Sequence, residues 1–137
     1  MPLIFPYQER AHPLFGVVQR PLMRLALRSE RFGRWIALDD VLADTGADLS
    51  VVSLPVGRLL FTDVEQGEPI QLGGVISSAQ MFGAFVHGVQ VRLGESEWEM
   101  PLAVVVSEAV PPIFGRQAAL DRFVARFVSG EELILDA

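Results

Sequence analysis

Val41-Leu42-Ala43-Asp44-Thr45-Gly46-Ala47-Asp48-Leu49-Ser50-Val51-Val52 is the stretch from which the fold is read. An apolar run leads directly into an aspartate, and small residues and strand formers follow it. Asp-Thr-Gly alone arises by chance in roughly a few per cent of chains this size, so its context carries the weight. Thr45 can hydrogen-bond nearby backbone or a threonine of another copy. Gly46 removes a side chain where a second backbone must approach closely. Together these residues would hold a carboxyl group in fixed orientation on the floor of a cleft. The same residues also suit an ordinary turn organised by the Asp44 side chain, and both readings stay open at this point.

Outward from that stretch the periodicity is that of strands. Met23, Leu25 and Leu27 alternate with Arg24, Ala26 and Arg28, the period-2 pattern of a half-buried strand. Ser29 to Gly33 reads as a turn, and Trp35 to Ala43 as the strand that delivers Asp44. Val89, Val91 and Leu93 alternate before a turn at Gly94-Glu95-Ser96. Trp98 and Met100 then alternate with Glu97 and Glu99 and continue through Leu102 to Val106. Phe123, Ala125 and Phe127 alternate, and Ser129-Gly130-Glu131 turns the chain into Leu133-Ile134-Leu135. Helix signals are few. Arg116 to Arg122 offers about two turns of good helix formers after Gly115, and Pro55 to Phe61 is a second candidate. Many short strands between Gly and Pro turns predict an all-β small barrel or sandwich.

Composition narrows the function classes. The chain has 137 residues and is 50% hydrophobic, which predicts one domain over 1–137 with an adequate core. A net charge of −6 argues against a general nucleic-acid binder. Arg20, Arg24, Arg28, Arg31 and Arg34 crowd an N-terminal stretch, and alternating arginines are expected on the wet face of a strand. With no cysteine there is neither a disulfide framework nor a thiolate metal site. His12 and His87 are not spaced like metal ligands, so neither a metal nor another cofactor is expected. No apolar stretch reaches about 18 residues, so no membrane span is expected. Without a visible targeting signal the default location is cytoplasmic.

Two further signatures flank the Asp-Thr-Gly. Leu72-Gly73-Gly74-Val75-Ile76-Ser77 is a glycine-containing segment, and Ile113-Phe114-Gly115-Arg116 precedes the C-terminal helix candidate. In this order, and together with Asp44-Thr45-Gly46-Ala47, they resemble the retropepsins, the retroviral-type aspartic proteases, and in particular the bacterial single-domain members. The resemblance runs from about Leu22 to Leu135. It implies a small closed barrel of the acid-protease type with one short C-terminal helix. It further implies that Asp44 is the catalytic aspartate, that the Thr45 hydroxyl bridges two subunits, and that the Gly46 carbonyl holds the substrate backbone. Ala47 and Asp48 would contact substrate, and Gly73, Gly74 and Val75 would form the tip of a flap over the scissile bond. Gly115 and Arg116 would support the loop from beneath, Arg116 by pairing with Asp48. Ile76, Ser77 and Ser78 depart from the glycine-rich flap of the family. Residues 1–21 have no clear counterpart and are an N-terminal extension or a dimer strand.

Aspartic proteases are known to work with two carboxyls about 3 Å apart that share one proton. This chain has one Asp-Thr-Gly; Asp39, Asp40 and Asp121 lack the residues that would follow. A working site therefore requires two chains about a two-fold axis. The expected function is a homodimeric aspartic endopeptidase acting on a peptide or protein substrate. The alternative is a retropepsin-fold dimer that binds peptides or proteins without cutting them.

Overall fold

The computed structural model describes residues 1–73 and 81–137. The chain opens with β1 (Leu3–Pro6) and a hairpin of β2 (Gln8–His12) and β3 (Gly16–Arg20). Then come β4 (Leu22–Ser29), β5 (Arg34–Ala43), β6 (Ser50–Ser53) and helix α1 (Leu54–Leu60). Strands β7 (Glu68–Gly73), β8 (Met81–Leu93), β9 (Ser96–Val105) and the two-residue β10 (Ile113–Phe114) follow. The chain closes with β11 (Val124–Val128) and β12 (Glu132–Asp136).

Six strands close a barrel in the order β4-β5-β10-β6-β9-β8, and β8 returns to β4 through Ala26↔Arg92 and Leu27↔Val91. Strand β7 extends the sheet beyond β8. Strand periodicity left a small barrel or a sandwich open and the resemblance implied a closed barrel; the closed barrel is the fold observed. Its interior is filled by the alternate residues of each strand: Met23, Leu25 and Leu27 from β4, Val89, Val91 and Leu93 from β8, Trp98, Met100 and Leu102 from β9. Burying one such side chain stabilises the fold by about 1.5–3 kcal/mol. Leu133 and Leu135 of β12 are buried in the same cluster, in a three-stranded sheet ordered β1-β12-β11. Phe127, expected to alternate inward, is exposed on β11, the edge of that sheet. Strand β1 pairs with β12 of its own chain, Leu3 facing Leu135 and Phe5 facing Leu133.

The helix lies elsewhere than expected. Leu54–Leu60, the second candidate, is an α-helix with Pro55 in its first turn, where a missing N–H costs nothing. Its Gly57 sits against Val104; an added Cβ would overlap a Val104 methyl. The segment after Gly115, by contrast, is a set of turns ending in a single 3-10 turn, Leu120–Arg122. An α-helix there would need the Ala118 carbonyl to accept from Arg122. That carbonyl instead accepts from the Trp98 indole N–H, and the Arg122 N–H bonds Ala119. Ala118 itself has φ of 50°, which ends any right-handed helix. Tertiary hydrogen bonds override good local propensity.

Candidate functional site

Strand β5 ends at Ala43 and releases the chain into the Asp44-Thr45-Gly46 turn. Leu42 pairs with Ile113 and Ala43 with Phe114 in parallel register, while Ile113 faces Val51 of β6. Paired residues share a face of the sheet, so two faces are defined. Ala43, Phe114 and Val52 point into the barrel. Ile113 and Val51 belong to a second apolar cluster with Ala84, Ala103, Val105 and Val110, and Asp44 has the parity of Leu42 on that outer side.

The turn is held from several directions. The Asp44 N–H donates to the Phe114 carbonyl at 3.0 Å, and the Asp44 carbonyl accepts from Ala47 at 3.3 Å. The Asp44 carboxylate Oδ1 accepts from the Gly46 N–H at 2.9 Å. Asp44 thus organises its own turn while its carboxyl remains half-buried at a cleft. From beneath, the Arg116 and Gln117 N–H groups donate to the Ala47 and Asp48 carbonyls. A Cβ on Gly115 would meet the Leu49 carbonyl oxygen at 2.5 Å and the Ala47 carbonyl oxygen at 2.9 Å. Only glycine fits there, because both obstacles are backbone. Arg116 pairs with Asp48 as expected; both side chains are largely exposed, so this ion pair contributes at most about 1 kcal/mol.

A cleft of about 560 Å³ opens beside this turn, lined by Asp44, Gly46, Ala47 and Asp48 on one side and by Ile70, Gln71, Leu72 and Gly73 of β7 on the other. Leu49, Val51 and Ile113 form its apolar floor. Of the residues singled out from the sequence, Asp44, Gly46, Ala47, Asp48 and Gly73 therefore converge on one cavity, and Gly115 and Arg116 support it. Thr45 is exposed beside the cleft without lining it. Gly74 and Val75 lie outside the described residues. Leu49, Val51, Ile70, Leu72 and Ile113 were not expected at the site. The alternation of Ile70 and Leu72 just before Gly73 is the signal that could have identified the two on β7.

The two histidines have structural roles. The His12 Nδ1 accepts from the Leu14 and Phe15 N–H groups at the tip of the first hairpin. His87 stacks on Phe61 with ring centroids 4.0 Å apart, and its Nε2 lies 2.7 Å from the Val64 carbonyl oxygen. Among the described residues no cluster of His, Cys, Asp or Glu could hold a metal ion. No helix among them is long and apolar enough to cross a membrane.

The architecture has counterparts among solved structures. The retropepsin-like aspartic protease from Rickettsia conorii matches with a TM-score of 0.64 at 16% identity, over 98% of this chain and 98% of its own. The EIAV protease, complexed with the inhibitor HBY-793, matches over 78% of this chain and 88% of its own, with a TM-score of 0.49 and 22% identity. No family model matches the sequence, and no curated protein does. The likeness to the Rickettsia structure extends over nearly the whole of both chains and shows the fold: this chain has the retropepsin-like barrel.

Proposed function

We propose that this chain is one half of a homodimeric aspartic endopeptidase whose catalytic pair is Asp44 and its symmetry mate. The observation that carries the reading is the convergence of Asp44, Gly46, Ala47, Asp48 and Gly73 on one cleft with an apolar floor. A pure turn aspartate would account for the Gly46 hydrogen bond but not for a carboxyl facing a cavity of that size. The chain acts as one domain over 1–137, with residues 1–21 as an N-terminal extension or dimer strand.

In the dimer the two Asp44 carboxyls meet across the axis and hold one proton between them. The ionised member takes a proton from a bound water, whose oxygen attacks the peptide carbonyl carbon. The neutral member donates its proton to the carbonyl oxygen, giving a neutral gem-diol. Collapse of that intermediate breaks the C–N bond: the protonated carboxyl gives its proton to the leaving nitrogen while the ionised one takes a proton from a gem-diol hydroxyl, so acid and amine leave and the pair again holds one proton. The Gly46 N–H fixes one carboxylate oxygen, which spares the side chain a reorientation during turnover. Gly46, Ala47 and Asp48 present backbone and carboxylate groups to an extended peptide, and Gly73 of β7 borders it. The apolar lining suits a peptide with apolar side chains about the scissile bond. Exposed Thr45 faces its own copy at the axis. The reaction needs no cofactor and no nucleic acid.

The test is cleavage of a mixed peptide library by the wild-type chain and by Asp44→Asn, with size measured in solution for both. Cleavage by a dimer, lost in a variant that remains dimeric, supports the proposal. Undiminished cleavage by Asp44→Asn overturns it, as does a wild-type monomer that cleaves. A dimer that binds peptides without cutting them supports the binding module instead.

A further inference from the structure

Strand β5 changes which of its faces looks inward before it reaches Asp44. In its first part the even residues turn toward the core: Leu38 pairs with buried Leu25 and Ile36 with buried Leu27. In its last part the odd residues do so, Val41 and Ala43 being buried in the same cluster. The partner strand β4 keeps one parity throughout, with Met23, Leu25 and Leu27 all inside. The switch is a β-bulge. Met23 faces Val41 and Leu25 faces Leu38, so Asp39 and Asp40 together stand opposite Arg24 alone.

The consequence for the site is geometric. Side chains along a strand alternate, so one additional residue reverses every position beyond it. Were the even parity of Ile36 and Leu38 continued, residues 40, 42 and 44 would point into the barrel. Asp44 would then be a carboxylate in a closed apolar core. With the bulge, Ala43 fills the core and Asp44 turns to the cleft.

What holds the bulge is Asp40. Its φ is 56°, a left-handed conformation that Asp, Asn and Gly accept more readily than other residues and β-branched residues hardly accept. Its carboxylate Oδ1 accepts from the Arg10 guanidinium of the N-terminal hairpin at 2.8 Å. On the other bulge residue, Asp39 pairs with Arg24 at 3.1 Å. Both pairs are solvent-accessible, with Arg24 and Asp39 each about two-thirds exposed or more, so their attraction is small and the backbone conformation of Asp40 dominates.

We infer that Asp40 is a positioning residue for Asp44: its left-handed backbone sets the bulge that aims the catalytic carboxyl out of the core, and Arg10 of the N-terminal extension steadies it. The kinetic part of this inference rests on the proposed protease function; the structural part does not. A left-handed conformation forced on an ordinary side chain shifts a two-state population by about five- to thirty-fold.

Two readouts on the full chain test it. One is kcat and KM on a peptide cut by the wild type. The other is amide exchange at Leu42 and Asp44, whose N–H groups bond the Pro112 and Phe114 carbonyls. Asp40→Val is expected to lose kcat by about ten-fold with KM within about two-fold, and to speed exchange at both amides by about ten-fold. Asp40→Asn and Asp40→Gly, which accept the same backbone, should restore both readouts to within about two-fold of wild type. Arg10→Ala should move them by less than about five-fold. If Asp40→Val does not fold, Asp40→Ala carries the test, with smaller shifts in the same directions. Wild-type kcat and exchange in Asp40→Val or, in its stead, Asp40→Ala overturn the inference, and so does an Asp40→Asn variant as impaired as the valine. A wild type that cuts no peptide defeats the protease reading alone, and exchange at the two amides still decides the role of Asp40.

Discussion

The buried Ser50 hydroxyl accepts a hydrogen bond from the Gly115 N–H at 3.1 Å. It joins the strand that follows the Asp44 turn to the segment that supports that turn from below. The two residues are far apart in sequence, and neither touches the cleft. Removing the acceptor leaves a buried N–H with no partner, which costs about 1–3 kcal/mol. Ser50→Ala is therefore expected to lower unfolding free energy by that amount in a denaturant titration, with an unchanged slope. A loss below about 0.5 kcal/mol, typical of surface changes, would show that the bond contributes little.

Gly115→Ala is a sharper probe of the same region. The new methyl would press on the Leu49 and Ala47 carbonyls, and backbone cannot yield as a flexible side chain does. Overpacking of this kind typically costs about 1–3 kcal/mol, and the upper end is expected here. Thermal unfolding should show it, and the proposed activity should fall with it, because the displaced carbonyls belong to the loop that carries Asp44.

Arg116→Gln separates support from binding. The Asp48–Arg116 pair is exposed on both sides, so its loss should cost stability no more than about 1 kcal/mol. Because Asp48 lines the cleft, releasing it should raise KM for an extended peptide more than it lowers kcat. A stability loss above 2 kcal/mol would place the main role of the pair in folding instead.

The shared-proton mechanism predicts a bell-shaped dependence of kcat/KM on pH, with both limbs belonging to the pair of aspartates rather than to either one. A rate that keeps rising into alkaline pH would contradict it. Activity should also vanish on dilution below the dimer dissociation constant, since each chain supplies one Asp44. Specific activity that is independent of protein concentration down to the monomeric range would exclude a site shared between two copies.

Phe114→Ala tests the floor of the barrel beneath the site. Phe114 is fully buried, and its carbonyl accepts from the Asp44 N–H. Truncation of such a residue costs about 3–5 kcal/mol. A measured cost under 2 kcal/mol would mean that the core around β10 collapses readily.

The amino-acid sequence by itself determined strands β4, β5, β9, β11 and β12 and the last part of β8, the inward residues of β4, β8 and β9, and the Asp44-Thr45-Gly46 turn, because alternation and turn chemistry are local properties; β1, β2, β3 and β7 were not read from it. It also brought Gly115 and Arg116 into the reading as supports, through their place in a motif. Tertiary structure alone decided the rest. The good helix formers after Gly115 yielded to the Trp98 indole and to the loop carbonyls, partners from distant segments. Asp39 and Asp40, unremarked beyond lacking a Thr-Gly, became a bulge only against Arg24 of the neighbouring strand. The apolar cleft floor of Leu49, Val51 and Ile113 required strands β6 and β10 to meet. Which face a residue presents depends on what pairs beside it, and pairing register is a property of two strands, never of one.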